Sequence, residues 1–250
     1  MAEKAAIMSS KSKKSRFIVG SAKKNIYFCA ANIQIFLEIT KFQTYFFYEK
    51  MTALDIIYHF YPQDTELRRL LLLHSQCVAD KSLQILDQCE RTGKRLDIDR
   101  KLVVDGAMLH DIGICKCDAR GILCEGTEPY ICHGTIGAQM LRDYLAELKQ
   151  EPINNLGVDL ETCARICERH TGAGLTAQDI IDQQLPISPV RDLLPETLEE
   201  KLVCLADKFF SKSGDPSKEK ELGRVCRSME KFGADTVARF TDLRNLFMVP

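Results

Sequence analysis

The sequence lacks several features that would assign it quickly to a class of protein. No apolar run approaches the roughly 20 residues that a membrane-spanning helix needs. No stretch alternates apolar and polar residues as a half-buried strand does, and no internal repeat is present. The eleven cysteines form no paired Cys-x-x-Cys framework, which argues against a structural zinc site. What is left is a chain of helical pattern with enough apolar residues for a core.

Net charge is nearly absent as well, because 34 Lys and Arg face 35 Asp and Glu. The distribution is uneven: residues 1–50 carry nine basic and three acidic side chains, and the remaining residues carry 25 and 32. The acidic body argues against a large nucleic-acid surface, so we predict neither a nucleic-acid nor a membrane partner. An odd number of cysteines in helical segments is typical of reduced thiols, which predicts a cytoplasmic location. The sequence leaves the oligomeric state open.

The helical pattern becomes clear near Met51. Thr52 precedes apolar residues at helical spacing that end at Pro62. We therefore predict a domain over residues 51–250, preceded by an extension, residues 1–50, that is disordered or loosely helical. Two alternatives stay open for the extension: its start is misassigned, or it forms a docking or membrane-surface helix. Polar residues interrupt its apolar segment, which makes it a poor signal peptide.

Helix follows helix through the predicted domain, and the fold class is all-α. Gly113 is a helix stop, while Thr176 and Thr197 open capping boxes. The segments 114–128 and 172–196 are expected to border a pocket. Helices are predicted over residues 65–91, 97–112, 127–149 and 159–170, from 176, from 197, from 215, and over 234–247.

Four of the five histidines occupy unusual positions. His74 lies inside an apolar helical stripe, His110 ends an apolar helix, and His133 and His170 fall at helix ends. Each of them taken alone is more often an ordinary core or surface residue. His59 lies outside this pattern, and we interpret it as ordinary.

Two aspartates accompany these histidines. Asp207 lies among apolar residues of a helix, and Asp111 follows His110 directly. A buried carboxylate is costly unless a cation or several donors compensate it, although the neighbouring Lys208 is a simpler partner for Asp207. Mixed imidazole and carboxylate donors suit Fe, Mn, Zn, Ni or Co better than Ca or Mg. Together, the histidines and aspartates indicate a metal site inside a helical bundle.

The order of these residues resembles the HD superfamily of metal-dependent phosphohydrolases, in its HDIG subgroup. The subgroup motif appears as His110-Asp111-Ile112-Gly113, and the resemblance covers roughly residues 51–247. Words around His133, His170 and Asp207 are similar to the bacterial branch that hydrolyses symmetrical diadenosine tetraphosphate. The implied fold is the HD-domain helical bundle. The full order is matched by His74, His110, Asp111, His133, His170 and Asp207.

The resemblance also implies roles for these residues. A first metal would be bound by His74, His110, Asp111 and Asp207. Asp111 would bridge to a second metal that His133 and His170 bind.

Lys116 is a further candidate from the resemblance, as a catalytic residue that contacts phosphate or the leaving group. Many relatives have a lysine directly after the motif glycine, and here Ile114 and Cys115 intervene. Arg169, Lys208 and Lys212 are weaker candidates for phosphate contact.

The predicted activity is hydrolysis of a phosphoester or phosphoanhydride in a nucleotide or small phosphorylated metabolite, with two divalent transition-metal ions. The alternative is a mixed-valent di-iron oxygenase acting on a phosphonate or polyol, because such enzymes resemble the same scaffold and ligand order. A third possibility is a binding or regulatory module with a degenerate site. The intact set of ligands argues against the third.

Overall fold

The computed structural model describes residues 50–149 and 156–248. The described residues from Met51 onward form one compact unit, and the extension, apart from Lys50, lies outside them, so the domain boundary stays a prediction. The all-α fold class is confirmed. The helices of the described residues are α1 (Ala53–Phe60), α2 (Glu66–Arg91), α3 (Arg100–Leu109), α4 (His133–Leu148), α5 (Leu160–Arg169), α6 (Ala177–Asp182), α7 (Leu198–Asp207), α8 (Leu222–Met229) and α9 (Ala234–Phe247).

A small sheet occupies much of the predicted loop between α3 and α4. Strand β1 (Cys117–Ala119) pairs antiparallel with β2 (Cys124–Glu125) and parallel with β3 (Glu128–Pro129). This corrects the prediction of a helix start near Thr127, because β3 is extended against β1 and α4 begins only at His133. The described 3₁₀ turns are Ile112–Lys116, Arg120–Ile122, Tyr130–Cys132 and Glu230–Phe232.

Helix starts follow the capping signals closely. The Thr176 hydroxyl accepts from the Asp179 amide and the Asp179 carboxylate accepts from the Thr176 amide, a complete capping box. The Thr197 hydroxyl accepts from the Glu200 amide. The carboxylate of Glu200 does not return that bond, because it accepts from the Glu196 amide and from two arginines of α5. Both predicted helix starts are confirmed, the second with half of its box.

Three other predicted boundaries are wrong. Helix α3 starts at Arg100, with Asp99 as its N-cap, and not at the predicted residue 97. Asp215 does not open a helix: its carboxylate accepts from the Ser217 amide in a turn, and α8 starts at Leu222. Helix α3 ends at Leu109, earlier than predicted, and the chain tightens into a 3₁₀ turn that contains Gly113. The glycine therefore serves close packing rather than a helix stop.

The core has two main apolar clusters, and the histidines lie where they meet. One cluster surrounds α7 and includes Val78 and Leu205, and the other joins α1, α3 and α5 and includes Leu71 and Leu109. His74 follows Leu71 and precedes Val78 on α2, so it lies between the two. None of the helices in residues 50–149 and 156–248 combines the length and apolar character needed to cross a bilayer.

Candidate metal centre

Three of the four histidines are oriented by the backbone that precedes them. In each, Nδ1 faces the carbonyl oxygen of the residue three positions earlier and donates to it. The neutral ring therefore presents the lone pair of Nε2 to the centre of the site. His74 differs, because its Nδ1 has no hydrogen-bond partner among the described residues. The oriented pairs are His110 with Ala107 (2.6 Å), His133 with Tyr130 (2.7 Å) and His170 with Cys167 (2.7 Å).

Four buried side chains converge as a first donor group, defined as His74, His110, Asp111 and Asp207. Nε2 of His74 lies 3.1 Å from Oδ1 of Asp207 and 3.2 Å from Oδ2 of Asp111. Nε2 of His110 lies 3.0 Å from that same Asp111 oxygen and 3.5 Å from Oδ1 of Asp207. Residues far apart in sequence thus place four potential ligand atoms around one point.

Three side chains form a second donor group on the other side of Asp111, defined as Asp111, His133 and His170. Oδ1 of Asp111 lies 3.3 Å from Nε2 of His133 and 3.5 Å from Nε2 of His170. The two imidazole nitrogens are 3.0 Å apart. Asp111 therefore belongs to both groups, with one oxygen facing each.

This arrangement fits metal ions. Because both Nδ1 atoms donate to carbonyls, the facing Nε2 atoms of neutral His133 and His170 carry only lone pairs, which repel unless a cation lies between them. Neither oxygen of Asp111 accepts a hydrogen bond of normal geometry from the described residues. Ligands about 2.1 Å from one ion lie roughly 3.0 to 3.4 Å from each other, close to the separations seen here.

Glycines bring the two groups together. A Cβ added to Gly113 would lie 2.2 Å from the carbonyl oxygen of His133 and 2.5 Å from the amide nitrogen of Gly137. A Cβ on Gly134 would lie 2.4 Å from the carbonyl oxygen of Cys167. The turn after Asp111 and the end of α5 thus both pack directly on the backbone of α4.

Electrostatics differ sharply between the histidines. Burial disfavours a charged His110, but the carboxylates of Asp111 and Asp207 outweigh it and raise its pKa to about 9. Burial dominates at His133 and lowers its pKa to about 3, and burial also lowers the pKa of His170. Burial opposes ionisation of both aspartates, yet nearby cations keep their pKa values well below the usual range.

Two lysines contact the aspartates. The ammonium of Lys208 lies 2.6 Å from Oδ2 of Asp207 and donates to the carbonyl of His170 at 3.0 Å. The ammonium of Lys212 lies 2.6 Å from Oδ2 of Asp111. Lys116, in contrast, is exposed, and no hydrogen bond or ion pair among the described residues joins its side chain to the donor groups. Its catalytic role stays a prediction.

Arg169 and two tyrosines complete the surroundings. Arg169 forms ion pairs with Glu196 and Glu200, away from the donor atoms. The ring of Tyr130 stacks on His133 with centroids 4.6 Å apart. The hydroxyl of Tyr61 donates to the carbonyl of Ile112 at 2.7 Å and so fixes the turn after Asp111. Sequence reasoning missed both tyrosines, since nothing in their local patterns points to the site.

The comparison with known families matches this geometry. The HD domain matches residues 72–211, more than half of the chain, and the chain therefore belongs to the HD domain family. All six residues of the donor groups lie within the match. This family belongs to a superfamily of metal-dependent phosphohydrolases, and its proteins bind divalent metals.

Three curated relatives show what the chain is similar to. A tRNA (cytidine(56)-2'-O)-methyltransferase of Picrophilus torridus is 34% identical over 146 residues, which are 57% of this chain and 35% of that protein. An uncharacterized protein of Methanocaldococcus jannaschii is 36% identical over 138 residues, 55% of this chain and 63% of that protein. A Thermoplasma volcanium protein with the same methyltransferase name is 28% identical over 190 residues, 76% of this chain and 44% of that protein. The chain thus spans less than two thirds of each relative. No solved structure matches.

Proposed function

We propose that this protein is a metal-dependent phosphohydrolase that cleaves a phosphoester or phosphoanhydride of a nucleotide or small phosphorylated metabolite. Two divalent transition-metal ions, from among Fe, Mn, Zn, Ni and Co, would be held by the two donor groups. When bound, such ions supply a water nucleophile at neutral pH and positive charge for the attacked phosphate.

The position of Asp111 carries this proposal. One of its oxygens faces His74 and His110, and the other faces His133 and His170. A carboxylate shared in this way holds two ions a few ångströms apart, the spacing that two-metal phosphate hydrolysis requires. Asp111 would thus be a bridging ligand that fixes both ions relative to each other.

The charge of the site favours a phosphate substrate. Two divalent ions and the ammonium groups of Lys208 and Lys212 would face only two carboxylates, those of Asp111 and Asp207. The resulting excess of buried positive charge is costly until an anion enters. A neutral polyol would not relieve it, and a phosphorylated substrate would. This disfavours an oxygenase that acts on a polyol. A phosphonate is itself an anion, so the oxygen-uptake assay below separates that alternative from hydrolysis.

The sequence around the histidines points to a particular nucleotide. The words around His133 and His170 resemble the branch that hydrolyses symmetrical diadenosine tetraphosphate, so we propose this nucleotide as the first substrate to test. The methyltransferase name belongs to two relatives of which this chain spans 35% and 44%. The imidazoles and carboxylates that converge in this chain are metal ligands. They do not support transfer of a methyl group to tRNA.

The test is metal analysis of protein purified without oxygen, followed by assays of phosphate release and oxygen uptake. We expect about two metal ions per chain and phosphate release without oxygen. Asp111→Asn should remove the second ion, weaken binding of the first, and lower turnover roughly a thousand-fold or more. The matched control is Asp105→Asn, because Asp105 is another buried aspartate near His110 that pairs with Lys101 instead.

Two outcomes would contradict the proposal. Oxygen consumption with a phosphonate or polyol would assign the oxygenase chemistry. Full phosphate release by Asp111→Asn would show that the activity arises elsewhere.

A further inference from the structure

Lys212 differs from the other lysine at the donor groups in what it contacts. Lys208 has two acceptors, the carboxylate of Asp207 and the backbone carbonyl of His170. The ion-pair partner of Lys212 is Oδ2 of Asp111, at 2.6 Å, and its side chain is only 11% exposed. That oxygen is the one that faces His74 and His110. Lys212 therefore relies on an ion-pair partner that would also be a ligand of the proposed first ion.

The turn that carries Lys212 is fixed by the fold. The amide of Lys220 donates to the carbonyl of Phe209 at 2.7 Å. The ammonium of Lys220 donates to the carbonyls of Lys208 and Phe210. These hydrogen bonds fix the backbone just after α7. The position of Lys212 beside the donor groups is therefore set by the fold.

Tyr130 forms a wall beside this ammonium. Its ring stacks on His133, and its carbonyl oxygen accepts from Nδ1 of the same histidine. Burial raises the pKa of its hydroxyl, while the neighbouring Lys212 ammonium opposes that rise. Lys212 thus pairs with the shared carboxylate and neighbours an aromatic side chain that contacts the second donor group.

Charge balance determines what Lys212 contacts when the site is loaded. If Asp111 held ions with both oxygens, the ammonium would lose this ion-pair partner and would stand beside additional positive charge. A largely buried cation needs an anionic partner. We infer that Lys212 binds the phosphate of the substrate, donating hydrogen bonds to its oxygens. This inference rests on the proposed function, and among the lysines that the sequence offered for phosphate contact it selects Lys212 instead of Lys116.

Loaded protein titrated with inorganic phosphate tests the inference. In Lys212→Met, phosphate should bind roughly 10- to 100-fold more weakly, because a charge-assisted hydrogen bond is lost. Lys212→Arg keeps the charge and should recover most of that loss. Lys218→Met is the matched control, since Lys218 is an exposed lysine of the same connection and should leave phosphate binding unchanged.

The affinity with which the metal-free protein binds added metal is a second measurement, and the direction of its change tests the inference. Removing the ammonium frees Oδ2 of Asp111, so Lys212→Met should bind metal as tightly as the wild type or more tightly. A merely structural lysine would act in the opposite direction, and weaker metal binding would overturn the inference.

The remaining outcomes separate the two proposals. Phosphate affinity that is unchanged in Lys212→Met, or lost in Lys116→Met instead, would overturn the role of Lys212 while leaving the hydrolase intact. A wild-type protein that binds metal and releases no phosphate from any substrate would overturn the proposed function itself.

Discussion

The two donor groups share Asp111 but are built differently. The first adds a second carboxylate, Asp207, and two histidines. The second adds only His133 and His170, so its single negative charge is the one that it shares. The first group can therefore lose one ligand and still offer three, whereas the second would fall to two.

The same asymmetry appears in the protonation of the histidines. Carboxylates raise the pKa of His110 to about 9, so without metal the first group already holds a proton as its cation. Burial lowers the pKa of His133 to about 3 and also lowers the pKa of His170, so the two histidines of the second group stay neutral and leave two lone pairs facing each other. The comparison teaches that the second group depends more strongly on a metal ion for its stability.

Single-histidine variants would break this comparison most strongly. His133→Ala should lose about one metal equivalent per chain and lower turnover by roughly 100-fold or more, because two donors hold an ion poorly. His74→Ala should keep two ions, with the first bound more weakly, since three donors remain. Metal content and turnover of the purified variants are the measurements.

The matched control for both variants is His59→Ala, because His59 is exposed and stacks on Tyr144 outside the site. Metal content unchanged in His133→Ala would mean a single-ion centre. Equal loss in His133→Ala and His74→Ala would show that the two groups do not differ.

Gly113→Ala tests the close packing of the turn after Asp111 on α4, which brings the two donor groups together. Its expected effect is smaller than that of the histidine variants. The new Cβ would lie 2.2 Å from the carbonyl oxygen of His133, so the turn after Asp111 must move away from α4. We expect a loss of about 1–3 kcal/mol in the free energy of unfolding of the metal-free protein, measured with denaturant. Gly121→Ala is the control, because its Cβ would meet nothing within 4 Å. Similar losses in the two variants would contradict this role.

Much of the fold could be predicted from local pattern. Apolar spacing and caps such as Thr176 predict helices, because those signals act within a few residues. The short sheet could not be predicted, since its strands have only two or three residues and pair across a turn. Neither could the late start of α4 at His133, because the extended form of Glu128–Pro129 depends on pairing with β1.

The donor residues were predicted from their order along the chain, and the structure brings all six together. The lysines show where such reasoning stops. Lys116 is close to Asp111 in sequence but is exposed at the end of a 3₁₀ turn, where its carbonyl accepts from the amide of Thr127. Lys212 reaches Asp111 through a turn that Lys220 fixes. Such long-range contacts leave no periodic signal in the sequence.

The smallest expected effect is on the pH dependence of stability, which should have opposite sign for the histidines of the two donor groups. In the metal-free protein, the pKa of His110 lies above its unfolded value near 6.5, so its stabilisation is complete below that pH and declines as pH rises towards 9. The pKa of His133 lies below that value, so its contribution is lost as pH falls from about 6.5 towards 3. Each histidine changes the free energy of unfolding by at most about 1.4 kcal/mol per pH unit.

Denaturant unfolding at pH 4.5 to 8 separates these two limbs, because buried thiols titrate above this range and the aspartates below it. His110→Gln should flatten the decline between pH 6.5 and 8. His133→Gln should reduce the decline below pH 6.5, and the rest of that decline belongs to His170, whose pKa burial also lowers. The control His59→Gln should leave both declines in stability unchanged. A variant of His110 that altered only the acid limb would reverse the charges that we assign to the two groups, and the first group would then have no resident cation to exchange for a metal.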